Sequence, residues 1–245
     1  MKVIVRWVLA IGAVFACITL IRDSSIVHAQ CCTTYWCPQP PPACPNPACA
    51  NYTGTCSYYW TCNSPIIVDL KDKGFHLTDQ AHGVSFQFGD QKQQVAWTEP
   101  KYGNAWLALD RNGNATIDDA TELFGNDTPQ RPTESPNGFL ALGVYDLPEN
   151  GGNGDGHITA ADRIYSHLLL WTDINHNGIS EPNELQSLDH TGITSISLAY
   201  HEDDRKDRYG NVFRYRSRNT MNTVQYDRLI YDVYLVGTNA NSSSN

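Results

Sequence analysis

The segment "DINHNGISEPNEL" (173–185) places oxygen-bearing side chains on alternate residues of a loop that contains a glycine. Ca²⁺ takes about six to eight oxygen ligands, and a tight loop with alternating oxygens can surround it, with a glycine at the sixth position and a closing carboxylate at the twelfth. The spacing predicts a metal-binding loop, and the alternative is an Asn/Gly turn followed by a helix that begins at Pro182. The expected ligands are Asp173, Asn175, Asn177, the Ile179 carbonyl, Glu181 and Glu184.

A second segment, "DRNGNATIDDATEL" (110–123), repeats this spacing with two irregularities. Ala115 replaces the glycine, which raises the cost of a positive φ angle by roughly 1 kcal/mol. Glu122 falls one residue beyond the twelfth position, so a small adjustment of the turn is needed to bring it in, and Asp119 is the substitute. The expected ligands are Asp110, Asn112, Asn114, the Thr116 carbonyl, Asp118 and Glu122.

A third segment, "DLPENGGNGDGHITAAD" (146–162), fits the pattern only if residues 147–152 bulge out, so that Asp146 supplies the first ligand. The alternative is a flexible glycine-rich loop with acidic flanks. The expected site residues are Asp146, Asn153, Asp155, His157, Thr159 and Asp162, with the His157 side chain pointing outward. In chain order, residues 110–122, 146–162 and 173–184 are called the first, second and third polar loops. A fourth segment, "DLKDKGFHL" (69–77), has Lys71 and Lys73 at ligand positions and predicts a turn without an ion.

Three stretches carry a family resemblance: "LALDRNGNATIDDATELFGN" (107–126), the run from residue 150 to 185, and "RYGNVFRYR" (208–216). They resemble bacterial secreted EF-hand-type proteins, and "NGDGHITAAD" (153–162) is similar to dockerin calcium loops. The resemblance covers about residues 64–236. It implies calcium binding, with Ca²⁺ as the expected cofactor, but it does not by itself imply an enzymatic activity.

Residues 1–29 have the features of a secretory signal peptide: a basic start with Lys2 and Arg6, the apolar run "WVLAIGAVFACITLI", and "VHA" before Gln30. The apolar run is too short for an ordinary membrane span, and an uncleaved anchor is the alternative. We therefore expect a secreted or extracellular protein without a membrane span after signal removal, the cell surface and the periplasm being alternatives. Removing this segment, which carries a net +2, changes the formal net charge from −9 to −11, and this acidity disfavours nucleic acid as a partner.

Residues 30–63 form a Cys/Pro-rich segment that is too small to bury a useful core, which favours disulfide bonds. The segment has seven cysteines, so one of them is left without a disulfide partner within it, and the connectivity of the others cannot be read from the sequence. A zinc site is the alternative, although the cysteine spacing fits it poorly. The disulfide candidates are Cys31, Cys32, Cys37, Cys44, Cys49, Cys56 and Cys62.

From residue 64 onward the expected fold is α+β, with short strands, hairpins and short helices around EF-hand-like calcium loops. Alternating or apolar runs predict strands at "PIIVDL", "VSFQFGD", "QQVAWT", "AWLALD", "TSISLAY", "NVFRYRSR" and "RLIYDVYLV". "AADRIYSHLLLWTD" (160–173) predicts a helix, with a short buried "LLLW" strand as the alternative, and "EPNELQSL" predicts another helix. The calcium-binding domain is expected at residues 64–236 and a disordered tail at 237–245.

No catalytic arrangement emerges, since the histidines are scattered and lie in no nucleophile or HExxH motif. The leading hypothesis is a secreted calcium-binding protein in which structural calcium supports an extracellular interaction or matrix role. The alternatives are a secreted hydrolase with an unrecognised active site and a glycan- or cell-wall-binding module. Besides calcium, the partner classes considered are an extracellular glycan or protein. Arginines alternate with aromatics in "FRYRSR" (213–218), which fits either a surface for an acidic polymer or one wet face of a sheet.

Overall fold

The computed structural model describes residues 63–133, 135–224 and 226–238. These residues form twelve β-strands and a single six-residue α-helix, α1 (Gly138–Gly143), with short 3₁₀ turns between them. The expected α+β class is therefore wrong, because the fold is mostly β. The strands are β1 (Ile66–Asp69), β2 (Val84–Phe88), β3 (Gln91–Val95), β4 (Asn104–Ala108), β5 (His157–Thr159), β6 (Leu169–Trp171), β7 (Leu185–Ser187), β8 (Ile193–Ser197), β9 (His201–Lys206), β10 (Val212–Met221), β11 (Arg228–Tyr234) and β12 (Gly237–Thr238).

Nine of the strands form one curled antiparallel sheet in the order β5-β8-β10-β11-β1-β4-β6-β7, and β9 pairs with the first half of β10. β1 lies at the centre, where Ile67 is opposite Tyr231 of β11 and Trp106 of β4. The remaining strands form a small sheet in the order β12-β3-β2. The polar loops therefore connect strands of one continuous framework.

The central strands are buried on both faces of the large sheet. Ile66 and Val68 contribute to one hydrophobic cluster, whereas Ile67 between them contributes to the other, because successive side chains of a strand point to opposite faces. A strand buried on both faces reads as a continuous apolar run rather than as an alternation, which accounts for "PIIVDL". One cluster includes α1, and the other includes the small sheet.

Aromatic residues dominate the cluster beneath the small sheet. Trp97, Trp106 and Trp171 are fully buried, and the Trp97 ring centroid lies 5.0 Å from that of Trp106 and 5.4 Å from that of Trp171. Phe86 of β2 contacts both Trp97 and Trp171 at 5.2 and 5.6 Å. These tilted arrangements suit the ring quadrupoles and join the small sheet to the large one.

Two predicted helices are absent, and strands take their places. Residues 160–173 form a 3₁₀ turn (Tyr165–His167) followed by β6, so the alternative of a short buried strand is confirmed. "EPNELQSL" forms turns and then β7 instead of a helix. β6 pairs with both β4 and β7, so these sheet hydrogen bonds override the helical spacing of the apolar residues.

The segments predicted as strands overlap β1, β2, β3, β4, β8, β10 and β11. Among the described residues, strands β5, β9 and β12 were not predicted. The polar run "HEDDRKDRYGN" was expected to be only a hairpin connection, yet its first half forms β9. The predicted signal peptide and all the disulfide candidates lie outside the described residues, as does the tail beyond Thr238.

Both ends of the folded unit lie together. The Asn63 carbonyl accepts a hydrogen bond from the Leu235 amide at 3.0 Å, and the Pro65 carbonyl accepts one from the Val233 amide at 3.1 Å. β1 and β11 run antiparallel, so the chain enters and leaves the unit at neighbouring positions.

Gly125 provides a test of this framework. A Cβ atom at this position would lie 1.5 Å from the Ser64 carbonyl oxygen, which belongs to the backbone that begins β1. We therefore expect Gly125→Ala to lower the free energy of unfolding by about 1–3 kcal/mol, as measured by urea denaturation. The matched control is Gly143→Ala at the end of α1, where the nearest atom lies 3.9 Å from the new Cβ. Equal stability of the two variants would contradict the close approach.

Candidate functional site

The third polar loop is held by its own buried carboxylates. The fully buried Asp173 accepts hydrogen bonds from the amides of Asn177 at 3.1 Å and Gly178 at 2.9 Å. Glu184, also buried, accepts the Ile174 amide at 2.7 Å and the Trp171 indole N–H at 3.2 Å. The loop is thus closed by side chain to backbone hydrogen bonds at both of its ends.

Glu181 occupies the open side of this loop. The side-chain amides of Asn177 and Asn175 donate to its Oε1 at 2.9 and 3.2 Å, and the Asn177 amide in particular holds the pKa of Glu181 below its usual range. Burial raises the pKa of Glu184, and a hydrogen bond with Glu181 adds to that effect. The Ile179 side chain lies largely in solvent.

The first polar loop repeats these contacts. Asp110 accepts the amides of Gly113 at 2.7 Å and Ala115 at 2.8 Å, and Ala115 adopts a positive φ of 65°. The buried Glu122 accepts the Arg111 amide at 2.9 Å and the Asp118 amide at 2.8 Å, so the one-residue adjustment that the sequence required does take place. Asp119 is directed elsewhere, since it accepts the Thr121 amide and hydroxyl at 2.8 and 2.6 Å.

Asp118 closes the first loop as Glu181 closes the third. The side-chain amides of Asn114 and Asn112 donate to its Oδ2 at 2.5 and 3.1 Å, and chiefly the Asn114 amide lowers the pKa of Asp118. The Thr116 hydroxyl donates to the Asn114 side chain at 2.7 Å. All six residues predicted for this loop therefore lie in one hydrogen-bonded turn.

The second polar loop brings Asp146 into place across its insertion. Residues 147–152 bulge out, and Asp146 accepts the amides of Gly154 at 3.0 Å and Gly156 at 2.9 Å. Asp162 accepts the amides of Asn153 at 3.1 Å and Thr159 at 2.8 Å.

Asp155 and His157 complete the second loop in different ways. The Asn153 side-chain amide donates to Asp155 at 2.8 Å, as asparagines do in the other two loops. The exposed His157 ring contacts the Ser195 hydroxyl at 3.1 Å and so points to the neighbouring strand β8.

The first loop is joined to the third loop and to the residue that directly precedes the second. The Ile117 amide donates to the buried Ser180 hydroxyl of the third loop at 2.6 Å. The Arg111 guanidinium donates to the Tyr145 hydroxyl, which precedes the second loop, at 2.5 Å. Side-chain hydrogen bonds therefore link the first loop to residues 63 and 34 positions away along the chain.

Within the part of the chain that the structure describes, no group of three or more His, Cys, Asp or Glu side chains is placed to hold a metal ion. The loop carboxylates instead accept backbone and asparagine N–H groups. An ion in any of these loops would require the asparagine side chains to turn their oxygens inward, because Ca²⁺ takes oxygen ligands.

Sequence reasoning missed a buried acid, Asp232 of β11. It is fully buried, its Oδ2 accepts the Gly138 amide at 2.5 Å, and its Oδ1 has no hydrogen-bond partner. Burial raises the pKa of Asp232 to about 6, against the opposing effect of the hydrogen bond from the Gly138 amide. The available signal was the single carboxylate in the otherwise apolar run "LIYDVYLV".

With this geometry established, comparison with known proteins assigns the class. Residues 66–236 match the SPM domain, so the chain belongs to the SPM domain family. It is 35% identical over 151 residues to the iron-regulated protein FrpA of Neisseria meningitidis serogroup C. That match covers 60% of this chain and 13% of FrpA, so the chain corresponds to a small part of that relative.

These findings correct the sequence interpretation. The assignment to EF-hand-type or dockerin-like proteins is wrong, because the family is SPM and the relative is named for iron regulation. The leading hypothesis of a secreted EF-hand calcium-binding protein is wrong as well, because no metal-binding group is found among the described residues. The hydrolase and the glycan- or cell-wall-binding alternatives are not favoured either. None of these findings tests whether Ca²⁺ binds at the individual residues of the polar loops, so this binding stays a prediction.

Asp173→Ala tests the role of the loop carboxylates. The variant leaves the buried Gly178 amide without its partner, so we expect the free energy of unfolding to fall by about 1–3 kcal/mol in buffer with a metal chelator. Asp90→Ala, at an exposed acid in the turn between β2 and β3, is the control.

The same unfolding curves in millimolar Ca²⁺ test the cofactor prediction, which requires the wild type to gain more stability than Asp173→Ala. An unchanged wild-type midpoint contradicts it.

Asp232→Asn tests the buried acid. The folded pKa of about 6 exceeds the ordinary value of 3.8, so folding favours the protonated form. The contribution of Asp232 to stability is fully present below pH 3.8 and is lost as the pH rises to about 6. The loss amounts to about 3 kcal/mol, which Asn avoids because it stays neutral.

We therefore expect Asp232→Asn to be more stable than the wild type at pH 7.5 and to lose that advantage near pH 4. Urea denaturation across this pH range gives the measurement. Asp227→Asn, at an exposed acid next to β11, is the control and should follow the wild type. A wild-type advantage at pH 7.5 would show that Asp232 is held as a stabilising carboxylate.

Proposed function

We propose that this chain is an exported protein of the SPM family, produced in response to iron, in which residues 63–238 act as a self-contained module that can be joined to other chains. The observation that carries the modular part is the hydrogen bond between the Leu235 amide and the Asn63 carbonyl at 3.0 Å. A unit whose two ends are adjacent can be inserted in a longer chain without moving apart the two host residues that flank the insertion. The match to a short part of FrpA supports this, since a similar stretch of 151 residues occurs there within a much longer protein.

Export and iron response rest on different observations. Residues 1–29 carry the pattern of a secretory signal, and FrpA is named as an iron-regulated protein. Among the described residues, no helix is long and apolar enough to cross a membrane. A secreted location is therefore part of the proposal.

Grafting tests the modular part. Residues 63–238 are inserted into an exposed loop of an unrelated host enzyme, and we expect host activity to persist together with cooperative unfolding of the insert, followed by fluorescence of its buried tryptophans. The matched control is residues 63–224, which lack β11 and should not fold. Loss of host activity with the full insert, but not with a flexible linker of equal length, would overturn the modular role.

Export and iron response are tested in the native cell. The protein is quantified in cytoplasm, cell envelope and medium, with iron supplied and with iron chelated. We expect the amount to change with iron and the protein to leave the cytoplasm. A constant amount of protein would contradict the proposed iron response, and retention in the cytoplasm would contradict the proposed export. Neither outcome would affect the grafting result.

A further inference from the structure

Basic residues are concentrated in one part of this acidic protein. The chain has a formal net charge of −9, yet six of its 17 lysines and arginines lie between residues 205 and 218, together with a single acidic residue, Asp207. This segment includes the end of edge strand β9 and most of β10. Counted together with the three acids that directly precede it, residues 202–204, the segment still carries a net charge of +2, opposite in sign to that of the whole chain.

Three of these arginines share one face of the sheet. Arg216 and Arg218 are exposed and two residues apart on β10, so their side chains point the same way. Arg216 is opposite Tyr231 of β11, and the Arg205 guanidinium lies over the same Tyr231 ring at 5.1 Å. Residues Arg205, Arg216 and Arg218 are called the arginine strip.

Arg205 is held by aromatic rings. Its guanidinium lies 4.0 Å from the ring centroid of Phe213, 5.1 Å from that of Tyr231 and 5.9 Å from that of Phe75. The guanidinium thus lies over the faces of aromatic rings, and its N–H donors are the atoms with which an arginine binds a carboxylate in a two-pronged manner. An arginine fixed in this way loses little conformational freedom when it binds an anion.

The neighbouring acids neutralise only part of the strip. Asp203 lies 3.6 Å from Arg216 and accepts the Tyr231 hydroxyl, while Glu202 pairs with Arg214 outside the strip. Among the described side chains, Arg205 and Arg218 have no ion-pair partner. The strip therefore retains two guanidinium groups that form no ion pair with a described side chain.

We propose that the arginine strip binds an extended acidic peptide segment of a partner protein. Arg216 and Arg218 lie two residues apart on a strand, which places them about 7 Å apart. An extended peptide carries its same-face side chains at the same spacing, so acidic residues at alternate positions match the strip. Repulsion by the distant acidic surface is screened beyond about 8 Å at physiological salt, and the local charges decide the contact.

The test uses the full chain and fluorescent eight-residue peptides, with binding followed by anisotropy. One peptide alternates Glu and Thr, the second has four Glu followed by four Thr, and the third replaces every Glu by Gln. We expect the alternating peptide to bind best, the Gln peptide not to bind, and affinity to fall as salt increases. Equal binding of the alternating and block peptides would overturn the spacing argument.

Variants of the strip complete the test. Arg218→Ala and Arg205→Ala should each weaken binding about fivefold to tenfold, and Arg205→Lys should weaken it too, because Lys lacks the planar fork. Arg163→Ala, at an exposed arginine directly after the second loop, is the matched control. Arg205→Ala removes the contacts of β9 with the aromatic rings and could therefore unfold the protein. If it does, Arg218→Ala still tests the proposal. Wild-type affinity in Arg218→Ala, or equally good competition by an acidic polysaccharide of the same charge, would overturn the proposal.

Discussion

The burial of β1 on both faces is the constraint on which the rest of the structure depends. Its hydrogen bonds join β11 to β4, and its side chains contribute to both hydrophobic clusters. Gly125 must lie against the start of this strand, and Gly138 at the start of α1 approaches Ile66 closely. The position of Asp232 follows from the same pairing, because it is opposite Ile66 and has no route to solvent. The central strand thus explains a glycine that has no room for a Cβ atom and an acid with a raised pKa.

Local turn geometry was more predictable than fold class. The alternate spacing of oxygens identified three loops in which the first aspartate and the last carboxylate do reach the backbone amides of the loop. Asp, Asn and Gly produce such turns through short-range hydrogen bonds, so sequence alone specifies them. The same hydrogen bonds can shape a loop in unrelated families, and that is why the loop pattern led to the wrong family.

The errors in the fold have a different origin. Whether residues 168–171 become helix or strand depends on β4 and β7, which come from segments far along the chain, and no local pattern contains that information. β9 was missed because its charged sequence is typical of a solvated turn, although an edge strand tolerates charges well. The arginine alternation of β10 was visible, but the rings that hold Arg205 come from β10, β11 and the turn after β1. Such convergence is a property of the folded chain.

The adjacent ends of the folded unit also determine how it responds to mechanical force. Tension applied through Asn63 and Leu235 acts at the same end of the β1–β11 pair and loads its hydrogen bonds one after another. Strands that are opened in this sequence resist less than strands pulled along their length, where all the bonds carry the load together. The unit would therefore unravel from its centre outward at modest tension.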